Sequence, residues 1–344
     1  MEKIKKILKR VLPTYAKNKL IKAHSTVRGA RLFRYDKMRF KRYYLKDINQ
    51  ANFRQLEAKL TFHAHSLEKG LSHANLRFGF GKAALEKLAE AMRIYSLKGY
   101  DKNAKAYVNA ISVLRAYLTM HEAANYSIKH LEPILGKLLS EIKGCESKIG
   151  GTITVTAESK KNNQTKNFKD LFMNRWSVRN FSGVPVDINK VRDAIELAMK
   201  TPSVCNRQSA RVHIATDKKL IDRVLKAQGG MTGYETPPVL LTVTTDSNSF
   251  IALTERNQIY TDGGLFSMSL LLGLEYYQLA ACPLNAMLDV SRDKTIRKLI
   301  NLRPSENIIM FIAVGNFDDD SKVPKSFRFD VDDVLVMDSP GTNL

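Results

Sequence analysis

The feature that most limits what this chain can fold into is a change of pattern after Gly144. From Asn52 to about Gly144 the apolar residues recur at helical spacing with few strand signals. Gly150-Gly151 then introduces a strand-like run, Thr152 to Thr156, and the polar run from Ser159 to Lys166 reads as a loop or linker. Beyond it two periodicities alternate: helix Ile188 to Lys200, strand Arg211 to Ala215, helix Lys218 to Ala227, strand Val239 to Thr244, helices across Phe250 to Ala281, helix Lys294 to Ile300 and strand Ile308 to Val314. Such alternation predicts a sheet covered by helices. The expected fold is therefore α+β: a basic, mostly helical N-terminal region, residues 1–150, then a sheet-bearing domain, residues 151–344. A chain of 344 residues suits two cores better than one.

Charge divides the chain a second time. The net charge is +21, and residues 1–60 hold 18 Lys and Arg against 4 Asp and Glu. A positive field this concentrated favours a polyanionic partner: an acidic membrane surface, a nucleic acid or an anionic glycan. Residues 4–12 place Ile4, Ile7, Leu8, Val11 and Leu12 on one stripe among lysines, which predicts a short basic amphipathic helix. Arg31, Phe33, Arg34, Tyr35, Arg39, Phe40, Lys41, Arg42, Tyr43 and Tyr44 interleave basic and aromatic residues. No RNA- or DNA-binding signature accompanies them, so nucleic acid is not the expected partner, and these aromatics are expected to pack on the helical core with the lysines outside.

Three cysteines, Cys145, Cys205 and Cys282, lie far apart and form no CxxC pair, which suits a reducing cytoplasm without a disulfide framework or zinc site. No apolar h-region follows the basic start, so a cleaved signal peptide is not expected. The most apolar stretch, Leu265 to Ala281, contains Glu275 and Gln278 and predicts a buried helix rather than a membrane span. His65 and Glu68 share a helix face at i, i+3, but no further ligand stands at a recognisable spacing, so no metal site is expected. Gly70 and Gly79-Phe80-Gly81 read as helix stops and starts.

The chemistry concentrates between Asn174 and Gln208. Arg175, Ser177 and Arg179 stand at i, i+2 and i+4 ahead of a helix that Asp187 can cap, and Pro202-Ser203-Val204-Cys205-Asn206-Arg207-Gln208 follows it. Two guanidiniums and a hydroxyl can hold a phosphate, and carboxamides can donate to and accept from a polar ring edge.

Residues 170–335 resemble the FMN-dependent nitroreductase family. Arg175-Trp176-Ser177-Val178-Arg179-Asn180-Phe181 is similar to its opening motif, and Pro202 to Gln208 matches its Pro-Ser-x-x-Asn-x-Gln turn. Gly263-Gly264 and Gly273-Leu274, leading into Cys282-Pro283-Leu284-Asn285-Ala286, resemble the segment that lies against the flavin ring, and Val314-Gly315 followed by Lys325 to Arg328 resembles the terminal strand and basic pair. The resemblance implies a nitroreductase-like central mixed sheet. It also implies FMN held by Arg175, Trp176, Ser177, Arg179, Pro202, Ser203, Asn206, Gln208, Pro283, Leu284, Asn285, Ala286, Lys325 and Arg328. Pro202, Ser203 and Asn206 are expected to reach a partner's cofactor across a homodimer interface.

No catalytic side chain is implied, because the chemistry would take place on the flavin, with NAD(P)H or a deazaflavin as donor and a small-molecule acceptor. Ser209-Ala210, Asn285-Ala286 and Ser326 depart from the family pattern and leave the substrate class and the electron donor open. His65 to Leu71 and Arg77 to Gly81 resemble extensions found on nitroreductase-like proteins of surface-polysaccharide loci. That sets a second expectation beside the enzyme: a protein peripheral to the membrane in polysaccharide assembly, working through its basic N-terminal region.

Overall fold

The computed structural model describes residues 13–338, so the amphipathic helix expected over residues 4–12 lies outside the described residues. The chain is α+β, with a helical region preceding the sheets. It opens with a helix of 30 residues, α1 (Thr14–Tyr43). Phe33, Tyr35, Phe40 and Tyr43 on it are all more than half exposed, which overturns the expectation that these aromatics pack on the helical core. The reason lies in the charge: α1 carries ten Lys and Arg against the single Asp36, and ammonium and guanidinium groups on most of its circumference must stay hydrated. In its C-terminal third Asp36 accepts two hydrogen bonds from the Arg256 guanidinium at 2.6 and 2.9 Å, and at its end the Tyr43 carbonyl accepts from the Gln55 amide at 2.9 Å.

The helices that follow, α2 (Phe53–Leu71), α3 (Lys82–Leu97) and α4 (Lys105–Ala123), enclose one apolar cluster that includes Leu56, Leu60, Leu67, Leu88, Met92, Leu114 and Leu118. A reciprocal cap between Asn52 and Gln55 starts α2. Tyr95 and Tyr117 are fully buried, and each hydroxyl donates to a backbone oxygen, of Asp101 and Phe80, at 2.8 and 2.9 Å. Gly70, in the last turn of α2, lets the Phe80 ring close on the helix, since a Cβ there would sit 1.9 Å from a ring carbon. Two short helices, α5 (Glu132–Leu135) and α6 (Leu138–Lys143), close this region.

A two-stranded antiparallel sheet pairs β1 (Thr152–Val155) with β6 (Ser321–Pro324), joining the two ends of the sheet-bearing region. Between them lies a four-stranded sheet in the order β2 (Ala210–Ala215), β3 (Val239–Asp246), β5 (Glu306–Asn316), β4 (Leu279–Leu284), every pair antiparallel. Helices α8 (Ile188–Ala198) and α10 (Gln258–Tyr276) cover one face, packing Val191, Ala194, Phe266 and Leu270 against Leu241, Val243 and Ile312. On the other face α9 (Lys218–Gln228) and α11 (Val290–Leu299) pack Ile221, Val224 and Ile296 against Leu240, Phe311 and Ala313. With both faces covered, β3 is buried along its whole length.

Two expectations are corrected. The apolar run expected to be helical through Ala281 ends its helix at Tyr276, reverses at Gln278 in the left-handed region (φ 62°), and continues as strand β4. A run buried on all sides carries no period that separates helix from strand; the ladder to β5 decides it. Ser159 to Lys166 is not a solvated linker, because Lys160 and Asn163 are buried under α10: the Lys160 ammonium meets the Glu275 carboxylate at 2.6 Å, and the Asn163 amide donates to the Glu275 carbonyl at 2.6 Å.

Candidate functional site

Helix α7 (Phe168–Met173), capped by Asn167, delivers the chain to the open side of β4. There Ser177 bridges Ala281 in parallel and the Val178 N–H donates to the Ala281 carbonyl at 3.0 Å, which makes the sheet mixed. Extended backbone alternates its side chains. Trp176 and Val178 enter an apolar cluster with Val155, Ala280, Phe317 and Val323, so Arg175, Ser177 and Arg179 fall to the opposite side.

That side is dense in positive charge. Arg179 is 8% exposed; its Nη1 makes one long bond to the Ser177 carbonyl, 3.4 Å, and its buried Nε has no acceptor. Arg175 likewise buries Nη1 without an acceptor. Burial pulls its pKa down, Glu275 pulls it up, and Arg328 lowers it further by repulsion. Glu275 cannot neutralise Arg175 alone, because Lys160 and Asn163 already hold its carboxylate.

From the helical region Lys69, near the end of α2, joins the group; burial lowers its pKa first and the Arg179 guanidinium lowers it further. The charge of all three cations is felt at Cys282: burial raises this thiol's pKa, and Arg179, Lys69 and Arg175 each oppose the rise. Among the described residues, no carboxylate lies within 4.0 Å of Lys69, Arg175 or Arg179. Sequence reasoning assigned Lys69 no role; its only signal was membership of the segment His65 to Leu71.

The basic pair divides. Arg328 is exposed, close enough to repel Arg175, and donates through Nη1 to the Ser326 and Phe327 carbonyls. The Lys325 ammonium instead donates to the Lys148 carbonyl at 2.6 Å and lines a separate cavity of about 770 Å³ beside α4. Ser326, at the position where the family pattern has lysine, places its hydroxyl 3.3 Å from His65 Nδ1, which also lies 3.3 Å from the Glu68 carboxylate.

Pro202 to Gln208 forms a second cluster. Cys205, Asn206 and Gln208 adopt positive φ of 48°, 53° and 49°, a costly backbone for side chains with a Cβ. The turn is held by its surroundings: Asp262 accepts from the Val204 N–H at 3.2 Å, Ser203 Oγ accepts from the Gln208 N–H at 2.9 Å, and Arg207 pairs with Glu255 through two bonds of 3.1 and 2.7 Å. Asn206 and Gln208 are thereby left exposed. Pro202, Ser203 and Gln208 line a cavity of about 420 Å³ together with Ile195, Met199 and Phe266.

The third cluster follows the end of β4. Pro283 and Leu284 are its last residues, the Asn285 carbonyl accepts from Gln228 at 2.9 Å, and Ala286 packs beneath β4 beside α9 and α11. Arg175 to Arg179 and Pro283 to Ala286 thus share one edge of the sheet, whereas Pro202 to Gln208 leads into β2 at the other. Four strand spacings of about 4.8 Å separate the edges by roughly 19 Å. One copy of the chain therefore does not bring all the sequence-predicted residues together.

Residues 172–249 match the model of the nitroreductase family. No curated protein matches the chain. Solved structures with partial likeness include a candidate NADH oxidase from Clostridium acetobutylicum, 23% identical over 49% of this chain and all of that one, with a TM-score of 0.43. A nitroreductase family protein from Clostridium difficile 630 is 19% identical over 51% of this chain and 99% of its own, with a TM-score of 0.43. An FMN-dependent nitroreductase from Clostridium difficile R20291 is 17% identical over 51% and 98%, with a TM-score of 0.40. The segment that carries Arg175, Arg179 and the Pro202 to Gln208 turn is nitroreductase-like.

Proposed function

We propose that this protein is an FMN-dependent oxidoreductase working as a homodimer. The observation that carries the reading is the pair Arg179, buried, and Arg175, half-buried, each with a buried guanidinium N–H lacking an acceptor. A buried cation without a counter-ion is costly, and a phosphate monoester supplies both the charge and the acceptor oxygens the two arginines lack. FMN, when bound, supplies hydride transfer to and from its ring.

The chain's own residues bind and orient. Arg175, Arg179 and Arg328 offer charge to the phosphate and Ser177 a hydroxyl. Asn206 and Gln208, exposed on a turn fixed by Asp262 and Ser203, offer amides to a ring edge. Because the two clusters stand on opposite edges of the sheet, a second copy completes each site: Arg175 to Arg179 and Pro283 to Ala286 of one protomer face Pro202 to Gln208 of the other. A reduced nicotinamide or a deazaflavin is the donor class that fits, and the acceptor is a small molecule.

Complementation tests this. Arg175→Ala and Asn206→Ala should each take up little FMN, and an equimolar mixture, unfolded and refolded together, should regain part of the flavin absorbance through mixed dimers with one intact site. Absence of any regain, with both variants folded, would oppose the shared site.

A second activity is supported by α1. Its exposed basic and aromatic surface fits an anionic membrane, the surface role expected of a polysaccharide-assembly protein, and no described helix is long and apolar enough to cross one. Sedimentation with acidic vesicles should depend on residues 1–60; equal sedimentation of the truncated chain would remove this role.

A further inference from the structure

Lys69 is the cation that neither the sequence motifs nor the family match accounts for. It belongs to the helical region, yet its surroundings belong to the other half of the chain. The Tyr234 hydroxyl donates to the Lys69 carbonyl at 2.6 Å and lies 2.9 Å from Ser72 Oγ; the Asn180 amide donates to the Ser72 carbonyl at 2.8 Å. One residue before Lys69 the buried Glu68 carboxylate accepts from the Gly151 N–H at 3.1 Å. Hydrogen bonds from Gly151, Asn180 and Tyr234 thus fix the last turn of α2 at the cation cluster. A lysine held there without a carboxylate, beside an Arg179 that is itself more than nine-tenths buried and lacks an acceptor at Nε, repels its neighbour unless an anion comes between them.

We propose that the helical region is part of the flavin site: Lys69, half-buried, supplies a third positive charge, with Arg175 and Arg179, to a negative group of FMN, so that the cofactor's charge ties the two halves of the chain together. The inference rests on the FMN reading above. Two parts of the cofactor carry such charge, the phosphate and the pyrimidine edge of the reduced ring, and both would be recognised by the same chemistry. A chain without its helical region would then hold FMN poorly even with every family residue in place.

The test compares the full-length protein with Lys69→Met, which keeps the length and apolar stem, and with Lys69→Arg, which keeps the charge. If Lys69 meets the phosphate, Lys69→Met should bind FMN at least about ten-fold more weakly, with riboflavin binding unchanged and Lys69→Arg close to wild type. If it meets the reduced ring, oxidised FMN should bind as in wild type and the bound flavin's potential should fall by about 30 mV, the ten-fold equivalent for a two-electron couple. Either result supports the inference. Unchanged affinity and potential in Lys69→Met, or an equal loss for oxidised FMN and riboflavin as a merely structural role predicts, would overturn it while leaving the FMN reading intact. A wild-type chain that takes up no FMN would overturn both.

Discussion

Two groups of buried cations lie within electrostatic reach of each other beside β4, and the fold treats them differently. Lys160, 3% exposed, meets the Glu275 carboxylate at 2.6 Å and donates again to the Asn174 carbonyl at 2.5 Å. Burial still pulls the ammonium down and the Glu275 carboxyl up, but charge and hydrogen bonds oppose both. Alongside, Arg179 is buried and Arg175 half-buried, each with a buried donor unused. The difference separates structure from function: a charge that serves the fold has its counter-ion built in, whereas a charge that serves a ligand is left short of one. His63 shows a third way to bury a basic group. Burial chiefly, with Lys59 and Lys87, pulls its pKa down to about 4, so the ring stays neutral.

The largest expected effect falls on the satisfied pair. Lys160→Met leaves Glu275 buried with its ionic partner removed and should cost about 3–5 kcal/mol of stability. The double variant Lys160→Met with Glu275→Leu should recover much of it; urea unfolding of the singles and the double measures the cycle. A single variant as stable as wild type would break the contrast between the two groups.

His63 gives the next effect. Its folded pKa lies below the unfolded value of 6.5, so the neutral ring's contribution is fully present above about pH 6.5 and is lost as pH falls toward 4. The loss should reach about 3 kcal/mol at pH 4. His63→Gln should flatten that part of the stability profile; an unchanged profile would show that His63 does not titrate as described.

The smallest effect is at the surface. Arg256→Ala removes the Asp36 contact in the C-terminal third of α1. It should leave the melting temperature almost unchanged while speeding amide exchange and proteolysis along α1. Equal protection in the variant would show that α1 is held by something other than this pair.

How much of this was legible from the sequence depended on locality. Arg175, Ser177 and Arg179 could be read as one group because extended backbone puts i, i+2 and i+4 on one side, and Asp187 could be read as a cap because its partner, the Asn189 N–H, is two residues away. The α+β class followed from alternating periods. Contacts at long sequence separation were illegible: Lys160 finds Glu275 across 115 positions, and Asn180 finds Ser72 across 108. The turn at Gln278 was missed because Leu279 to Leu284 is buried on both faces and shows no alternation. The aromatics of α1 were misplaced because composition cannot say whether a basic helix has a surface to lie on.

If the unsatisfied arginines await the phosphate of FMN, the cofactor should stabilise the protein through them, which thermal unfolding with and without FMN measures. With FMN at about a hundred times its dissociation constant, wild-type stability should rise by about 2.7 kcal/mol. Arg179→Ala should lose most of that rise, and its melting temperature without FMN should not fall, because the residue removed is an unpaired buried charge. A wild-type melting temperature that millimolar FMN leaves unmoved, or an equal rise in Arg179→Ala, would show that these arginines do not hold the phosphate.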